Sequence, residues 1–486
     1  MTVIVIDFRP VLLVIGLLLI ILSGGMIIPA AVDLALGNPD WAAFAASAAF
    51  TLFVGAATFM TARTGEVTLN LRQAFLMTTL VWIVLPGFAS VPFMVSELQL
   101  SFTDAFFEAM SGITTTGATV ITGLDTVPPG LLLWRAILQW LGGLGIIIMA
   151  LTVLPMLKVG GMQMFKVEAF DAQDKVMPRA NELAAALVTT FIGLTLLWMA
   201  LYWVAGMNPL DAAVHAMTTI ATGGYSSHDA SIGFFDSALI EGLATLGMIV
   251  GGIPFILYVQ VLRGRPLALW RDSQTRWFVA ACISFILVVT AYLAMSGRYD
   301  VADSLRYASL NTISMMTGTG YASTDFSQWG GFVVVILFML MFVGGCAGST
   351  TCGIKIFRFQ VLFEVAQVQL RQLMQPHGVF VPQYNKRPID DSVATSVMGF
   401  FYLYALTVCI LAIALAALGL DFTTAFSGAA TAVSNVGPGL GPVIGPASTF
   451  ASLPDAAKWL LSAGMLLGRL ELYTVLVLVL PRFWRG

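Results

Sequence analysis

Hydrophobic residues along the chain fall into long blocks separated by short polar stretches. Ten blocks are long and apolar enough to form a helix that crosses a lipid bilayer, which takes about 20 residues. The pattern predicts an all-α polytopic membrane protein. The ten blocks lie near residues 11–31, 41–61, 73–95, 131–156, 184–206, 237–262, 277–296, 331–344 with its continuation, 393–419 and 457–481.

The composition supports this prediction, because 58% of the 486 residues are hydrophobic and only 10% are charged. Soluble domains average about half apolar and a quarter charged residues, so a water-soluble fold is excluded. The first block follows Arg9, is long and lacks a small-residue cleavage site, so we expect a retained helix rather than a signal peptide. Cys282, Cys346, Cys352 and Cys409 show no metal-ligand spacing and are expected to be buried, unreactive thiols.

Charge is distributed unevenly between the two sides of the membrane. With the N-terminus in the cytoplasm, 18 of the 23 Lys and Arg residues fall on the cytoplasmic side, which is the positive-inside pattern, and the C-terminus is cytoplasmic too. The external connections are acidic and would concentrate cations, although orientation alone would also deplete them of basic residues. Their acidic residues are Asp104, Glu108, Asp125, Asp211, Asp229, Asp236, Asp300, Asp303, Asp325 and Asp421.

Four external connections, after the third, fifth, seventh and ninth blocks, repeat one pattern. Each starts with an acidic residue, continues through a semi-apolar stretch and ends in Thr, Ser, Asn and Gly. The glycines Gly117, Gly224, Gly320 and Gly437 are separated by 107, 96 and 117 residues. The repeat unit of about 100 residues is therefore a helix, a re-entrant short helix with a loop, and a second helix.

The re-entrant segments are too short and too polar to span a bilayer. At membrane depth, such backbone is tolerated only where protein buries it or where it lines a water-filled cavity. Four helix ends with negative partial charge would favour a cation, and glycines allow carbonyl groups to turn inward as in potassium filters. Close helix packing by small residues is the alternative, and four matched copies favour the pore.

The fourfold repeat divides the chain into five parts, because two leading helices lie outside it. The predicted parts are the leading helices at 1–65 and pore repeats 1 to 4 at 66–158, 159–264, 265–376 and 377–486.

The four loop motifs carry a resemblance that covers the chain from about residue 10 onward. They read Thr-Thr-Thr-Gly117-Ala-Thr, Ala-Thr-Gly-Gly224-Tyr-Ser, Thr-Gly-Thr-Gly320-Tyr and Ser-Asn-Val-Gly437-Pro-Gly-Leu-Gly. The sequence resembles the Trk/Ktr/HKT superfamily of potassium uptake proteins and looks most like the bacterial Trk membrane subunit. The resemblance implies an ion-binding filter formed by Thr115, Thr116, Gly117, Thr222, Gly223, Gly224, Gly318, Thr319, Gly320, Asn435, Val436 and Gly437.

The same resemblance bears on ion selectivity. Members with Ser in place of the first glycine tend to admit sodium, so Gly117 implies selectivity for potassium. The fourth loop continues with Pro438 instead of an aromatic residue, so the filter departs from fourfold symmetry. Selectivity is accordingly expected to be weaker than in tetrameric potassium channels.

Ten consecutive small or polar residues, from Gly344 to Gly353, follow the third filter loop. Such residues do not form a stable lipid-facing helix, and the resemblance implies an intramembrane loop that gates the pore; a close helix-packing seam is the alternative. Arg469 lies in an apolar run and is expected to face the pore or this loop and to repel cations, or else to bind a backbone carbonyl between helices. The predicted gate residues are Gly344, Gly345, Gly348, Ser349, Thr350, Thr351, Gly353 and Arg469.

Basic cytoplasmic stretches at 157–180, 263–276 and 355–391 are read as loops that also orient the chain. The resemblance implies that a cytosolic nucleotide-binding regulatory ring of the TrkA type docks there and that the protein is a homodimer in a bacterial inner membrane. The chain has no nucleotide-binding loop of its own. Membrane lipid surrounds the helices, no nucleic-acid partner or covalent cofactor is expected, and potassium is the transported ion.

Two other classes of function compete with this reading. An intramembrane enzyme using His215 or His228 lacks a Ser–His–acid order or a nucleophile signature, so no enzyme activity is expected. A cation-coupled symporter also uses repeats and broken helices, but a fourfold repeat favours a pore. A less selective potassium/sodium channel and a symporter remain the alternatives.

Overall fold

The computed structural model describes residues 7–63, 70–152, 161, 180–385 and 387–485, and these residues are mainly helical. Seven helices in the described part are long and apolar enough to cross a membrane, and two bent helix pairs are each long enough together. A shorter apolar helix, Gly331–Leu340, completes the ten predicted blocks. The seven long spans are Arg9–Leu36, Trp41–Ala62, Leu71–Val95, Pro129–Ala150, Glu182–Val204, Ser273–Met295 and Asp391–Ala417.

The two leading helices form a tightly packed pair beside the first repeat. A Cβ atom added to Gly16 would lie 2.7 Å from the backbone nitrogen of Phe59, and one added to Gly55 would lie 2.9 Å from the Cβ of Leu19. Small residues thus let the two backbones approach, as is typical of membrane helices. The helices of residues 7–152 are α1 (Arg9–Leu36), α2 (Trp41–Ala62), α3 (Leu71–Ala89), α4 (Val91–Val95), α5 (Phe102–Ile113) and α6 (Pro129–Thr152).

The second repeat and the start of the third contain one sharply bent span. The helices α9 (Ala238–Gly251) and α10 (Phe255–Leu262) meet at 92° around Gly252–Pro254. Pro254 cannot donate a backbone hydrogen bond, which is one physical cause of such a break. The helices of this region are α7 (Ala180–Val204), α8 (Pro209–Ile220), α9 (Ala238–Gly251), α10 (Phe255–Leu262), α11 (Ala268–Arg271) and α12 (Ser273–Met295).

The remaining chain contains a second bent span and one interrupted span. The pair α19 (Asp455–Arg469) and α20 (Tyr473–Val479) bends by 115°. The helix α14 (Gly331–Leu340) has only ten residues, and 15 residues separate it from α15 (Ile356–Met374). The elements are α13 (Val301–Thr317), α14 (Gly331–Leu340), α15 (Ile356–Met374), β1 (Gln383–Tyr384), β2 (Arg387–Pro388), α16 (Asp391–Ala417), α17 (Phe422–Ser434), α18 (Gly441–Ile444), α19 (Asp455–Arg469), α20 (Tyr473–Val479) and α21 (Pro481–Arg485), with 3₁₀ turns at Leu124–Thr126, Ser231–Phe235, Phe326–Gln328 and Phe450–Ser452.

Four short helices, α5, α8, α13 and α17, correspond to the four re-entrant segments and contain 12, 12, 17 and 13 residues. Each is preceded by a polar residue whose side chain accepts a hydrogen bond from the backbone N–H three residues later, which stabilises the helix start. These caps are Ser101, Asn208, Asp300 and Asp421, so the first and second helices begin two residues before the aspartates used to align the repeats.

The stretch 355–391 differs from the predicted loop, because most of it forms α15 and an antiparallel hairpin of β1 and β2. Apolar residues Ile356, Phe357, Val361 and Val368 are buried along α15, which packs against α12 and α16. The basic residues of the stretch concealed this buried face. The predicted loop 157–180 lies outside the described residues, apart from Gly161 and the first residue of α7.

The cysteines also depart from the prediction at one position. Cys282, Cys346 and Cys352 are buried, but Cys409 is exposed on α16. The neighbouring Ile410 is exposed too, with 58% of its surface accessible. Cys409 therefore lies on an apolar outer face of the helix rather than in the core.

Candidate ion-conduction site

The four loops that follow the short helices share one backbone structure. In each loop, the residue before the key glycine donates its N–H to the carbonyl five residues earlier. One local fold therefore recurs in four different sequences. The donor and acceptor pairs are Thr116 to Ser111 at 2.8 Å, Gly223 to Thr218 at 2.8 Å, Thr319 to Ser314 at 2.9 Å and Val436 to Thr431 at 3.1 Å.

Each loop also contains two residues with a left-handed backbone. The key glycines Gly117, Gly224, Gly320 and Gly437 have φ angles of 86°, 80°, 85° and 105°. The residues two positions earlier are also left-handed, namely Thr115 at 54°, Thr222 at 50°, Gly318 at 69° and Asn435 at 53°. A β-branched residue with positive φ is a genuine outlier, and such strain persists only where surrounding structure fixes it, often at functional sites.

The key glycines join the four loops into a closed ring. A Cβ atom added to Gly117 would lie 2.4 Å from the carbonyl oxygen of Gly223, which precedes the key glycine of repeat 2. The same close contact between a key glycine and a carbonyl oxygen joins repeat 2 to repeat 3, repeat 3 to repeat 4 and repeat 4 to repeat 1. The remaining distances are 1.7 Å from Gly224 to Thr319, 2.3 Å from Gly320 to Val436 and 2.8 Å from Gly437 to Thr116.

The centre of this ring is narrow. The Cβ added to Gly117 would also lie 3.4 Å from the carbonyl oxygen of Thr319, in the diagonally opposite repeat. A side chain at Gly117 would therefore project into the middle of the ring. The ring offers backbone carbonyl oxygens, and no cluster of three or more His, Cys, Asp or Glu side chains within the described residues could hold a metal ion.

An open cavity of about 430 Å³ lies on one side of the ring. All four key glycines line it, together with Asp229, an exposed acidic residue. This cavity has room for many water molecules, since one water occupies about 30 Å³ in the liquid. A hydrated cation can therefore reach the ring from this side.

Gln139 on α6 supports the second loop and was missed by the sequence analysis. Its side-chain amide donates to the carbonyl of Gly223 at 2.6 Å and accepts from the N–H of Tyr225 at 3.0 Å. Asn435, which was predicted, donates to the Thr116 hydroxyl at 2.9 Å and thus links repeats 4 and 1. The only sequence signal for Gln139 was a glutamine within an apolar block, and the structure shows that it is fully buried.

The segment 341–355 on the other side of the ring folds back on itself without helix. Gly344 donates its N–H to Ile354 at 2.9 Å, and Ile354 donates to Phe342 at 3.0 Å. An added Cβ at Gly344 would lie 1.9 Å from the carbonyl oxygen of Cys352, and one at Gly345 would lie 2.7 Å from the Thr351 hydroxyl. The small residues that predict this break also permit its close internal packing.

This segment lies directly against the loops of repeats 1 and 2. The Thr350 hydroxyl is 3.0 Å from the carbonyl oxygen of Ile220, the last residue of α8, and 3.2 Å from the Thr222 hydroxyl. The Thr115 hydroxyl lies 3.6 Å from the sulfur of Cys352. The predicted gate residues Gly348, Ser349, Thr350 and Thr351 are all buried there, while Gly353 is partly exposed.

Arg469 at the end of α19 contacts the same segment and is only 3% exposed. Its Nη1 group contacts the Cys352 sulfur and lies 3.4 Å from the carbonyl oxygen of Thr350, while Nη2 donates to the carbonyl of Gly142 at 3.2 Å. Glu471 instead pairs with Arg358, and no carboxylate among the described residues forms an ion pair with Arg469. Among the described residues, backbone carbonyls, a sulfur atom and the ring of Trp82, whose centre lies 5.6 Å from the guanidinium carbon, compensate its positive charge.

The cavity on this side measures only about 20 Å³, with Ser349, Thr351, Gly468 and Arg469 among its lining residues. That volume holds about one water molecule. The space beside the ring is thus wide on one side and narrow on the other.

Comparisons with known proteins agree with this architecture. Residues 41–485 match the model of the TrkH family, described as a cation transport protein. The chain is 47% identical to the Trk system potassium uptake protein TrkI of Halomonas elongata over 98% of this chain and 97% of that protein. It is 38% identical to the Trk system potassium uptake protein TrkH of Escherichia coli, over 98% of this chain and 99% of that protein.

A solved structure shows the same fold. The crystal structure of the potassium transporter TrkH from Vibrio parahaemolyticus superposes with a TM-score of 0.92 at 36% identity and covers 99% of this chain and 100% of that chain. The predicted all-α polytopic membrane fold is thereby confirmed. On the family match and the full-length relatives together, the chain belongs to the TrkH family of cation transport proteins.

Proposed function

We propose that the protein takes up potassium ions across the bacterial inner membrane through the ring of Gly117, Gly224, Gly320 and Gly437. The observation that carries this proposal is the closure of the ring. Each key glycine packs against a carbonyl oxygen of the next repeat, and that carbonyl belongs to the residue just before the next key glycine. Full-length relatives named as potassium uptake proteins support it.

The chemistry of the ring suits an alkali cation. Rings of backbone carbonyls replace the hydration shell of potassium in selective filters. The filter residues supply these carbonyls, with the left-handed positions Thr115, Thr222, Gly318 and Asn435 setting the direction of the backbone. The outer cavity with Asp229 would concentrate cations before they enter.

The segment 344–353 is proposed to be the gate, and the structure described here to be the closed state. Thr350 and Cys352 contact the inner ends of two filter loops, and Arg469 places a buried positive charge beside them. A fixed positive charge near the path raises the energy of a passing cation. Opening would move this segment away from the loops and from Arg469.

Regulation is proposed to come from a cytosolic nucleotide-binding subunit that docks on the cytoplasmic face of a homodimer. The α15 helix follows the gate segment directly, so a partner bound to α15 would act on the gate through a rigid element. The distal end of α15 is exposed and apolar, with Leu370, Leu373 and Met374 more than 60% exposed. These residues offer a docking surface beside the hairpin of β1 and β2.

The test is the reversal potential of the purified protein in a planar bilayer with potassium on one side and sodium on the other. We expect a potential displaced toward the potassium equilibrium value. A potential near zero with clear current would contradict potassium selectivity and favour the less selective channel. Absence of current with the regulatory subunit present would favour coupled transport.

A further inference from the structure

The position nine residues before each key glycine is occupied by Glu108, His215, Asn311 and Gly428 in repeats 1 to 4. The first three residues are completely buried on the short helices. Buried polar side chains require hydrogen-bond partners, and each of these three has at least one partner in its own filter loop just beyond the key glycine. The position therefore connects the short helix with the outgoing end of its own loop.

In repeat 1 the connection is ionic. Glu108 accepts a hydrogen bond from the N–H of Val120 at 2.9 Å and lies 3.0 Å from the Thr119 hydroxyl. It also forms an ion pair with Arg135 at 2.8 Å, and both side chains are at most 1% exposed. One carboxylate thus holds the loop and compensates a buried cation.

Arg135 extends this connection into repeat 2. Its Nη1 group donates to the carbonyl of Ser226 at 2.9 Å, and its guanidinium carbon lies 4.0 Å from the centre of the Tyr225 ring. Tyr225 in turn donates its hydroxyl to the carbonyl of Glu108 at 2.9 Å. The Glu108–Arg135 pair therefore cross-links the loops of two adjacent repeats.

In repeat 2 the connection is neutral. His215 lies 2.8 Å from the carbonyl oxygen of Asp211 through Nδ1 and 2.9 Å from the Ser226 hydroxyl through Nε2. Because a carbonyl only accepts, Nδ1 carries the proton and Nε2 accepts from Ser226.

Repeats 3 and 4 continue the series toward weaker connections. Asn311 donates to the Ser323 hydroxyl at 2.8 Å and accepts from the N–H of Ser323 at 3.4 Å. Gly428 has no side chain, and the fourth loop is instead bonded from Gly439 to the carbonyl of Ile444 at 2.6 Å. The strongest support therefore lies between repeats 1 and 2.

Arg135 also lines the outer cavity beside the ring of glycines. Without Glu108, its guanidinium would be an uncompensated positive charge at the entrance of a cation path. Removing one partner of a buried ion pair is far more disruptive than removing both, because the remaining charge is left desolvated. The pair therefore has a geometric role and an electrostatic role that can be separated.

We propose that Glu108 is a positioning residue for the filter, which braces the outgoing loop of repeat 1 and neutralises Arg135, so that potassium binds at the ring. This inference rests on the proposed function. Glu108→Gln keeps an oxygen acceptor for Val120 but removes the negative charge, whereas Glu108→Gln with Arg135→Gln removes both charges. Glu97→Gln is the matched control, because it removes an exposed negative charge outside the outer cavity without touching the pair.

The experiment titrates the melting temperature of the purified full-length protein with potassium chloride, with choline chloride keeping the ionic strength constant. A ligand that binds only the folded state raises stability according to its affinity. We expect Glu108→Gln to weaken apparent potassium affinity on the order of tenfold and the double variant to recover most of it, because charge repulsion then disappears. Glu97→Gln is expected to stay within about twofold, because an exposed charge is screened by salt.

Unchanged affinity in Glu108→Gln, or no recovery in the double variant, would overturn the proposal. If Glu108→Gln does not fold, Glu108→Asp is titrated instead, because aspartate keeps the negative charge on a shorter side chain. A loss of potassium affinity in Glu108→Asp equal to that in Glu108→Ala would also overturn the proposal. A wild-type protein that potassium stabilises no more than choline would contradict the proposed ion site itself. The two failures are therefore distinguishable.

Discussion

The ring of glycines and the adjoining segment 344–353 differ in which repeats form them and in which contacts hold them. One loop from each repeat forms the ring. The ring closes through backbone contacts, because each of the four glycines packs against a carbonyl oxygen of the next repeat. The segment comes from the third repeat alone. Backbone hydrogen bonds join it to Gly251, Gly252 and Phe255 of the second repeat, and the hydroxyl of Thr350 and the guanidinium of Arg469 add side-chain contacts. A ring with one matching contact from each repeat suits a fixed coordination geometry, whereas an asymmetric segment from one repeat suits a part that moves.

The cavities on the two sides show the same contrast. The cavity outside the ring measures about 430 Å³, whereas the one beside Arg469 measures about 20 Å³. Substitutions in the ring should therefore abolish or alter selective conduction, and substitutions at the segment should release it.

Gly224→Ala is expected to have the largest effect, because the new Cβ would lie 1.7 Å from the carbonyl oxygen of Thr319. Overpacking costs about 1–3 kcal/mol, and a left-handed alanine adds about 1–2 kcal/mol. We expect potassium uptake to fall on the order of a hundredfold, measured with radioactive rubidium in proteoliposomes.

The matched control for this change is Gly419→Ala. Gly419 also has a positive φ, of 89°, but an added Cβ would meet no atom within 4 Å. Uptake by this variant should remain close to that of the wild type. Equal losses in the two variants would show that backbone strain rather than ring closure is responsible.

Arg469→Ala should increase basal ion flux roughly tenfold, because it removes both a buried positive charge and the contacts that hold the closing segment. Deletion of residues 344–353 should raise leak conductance in the same direction. Both are measured as current at fixed voltage in planar bilayers without a regulatory subunit.

Arg371→Ala serves as the control for Arg469→Ala. Arg371 is an exposed arginine on α15 whose side chain contacts only Gln367 among the described hydrogen bonds. Its loss should leave basal current unchanged. Reduced current in well-folded Arg469→Ala protein would count against a closing role for this residue.

Thr350→Val should have the smallest effect, because it keeps the shape of the side chain and removes one hydroxyl hydrogen bond toward Ile220 or Gly251. Such a bond contributes about 0.5–1.5 kcal/mol, which corresponds to roughly a two- to twelvefold change in the opening equilibrium. Open probability in single-channel records measures this change. A variant that opens less often than the wild type would contradict the contact assigned to Thr350.

The sequence predicted the helical blocks and the key glycines well, because apolar length and repeated spacing are local signals. It did not reveal the order in which the loops touch, since ring closure depends on tertiary contacts such as that between Gly117 and Gly223. The filter and gate roles of the predicted residues remain proposals, although the structure brings those residues together.

Other features were missed for different reasons. Gln139 and Arg135 are polar residues within an apolar helix, and the sequence does not show which partners satisfy them. The α15 helix was read as a loop because its basic residues obscured the spacing of Ile356, Val361 and Val368. Cys409 was expected to be buried because free cysteines usually are, but in a membrane helix an apolar face is also exposed to lipid.

The most direct test of the central claim is a crystal structure of the protein grown with thallium ions, with the ion located by anomalous scattering. Thallium replaces potassium in carbonyl-lined sites and scatters strongly. We expect an anomalous peak on the axis between Gly117, Gly224, Gly320 and Gly437, next to the carbonyl oxygens of the residues that precede these glycines. A well-occupied thallium site elsewhere in the protein, together with an empty ring, would contradict it.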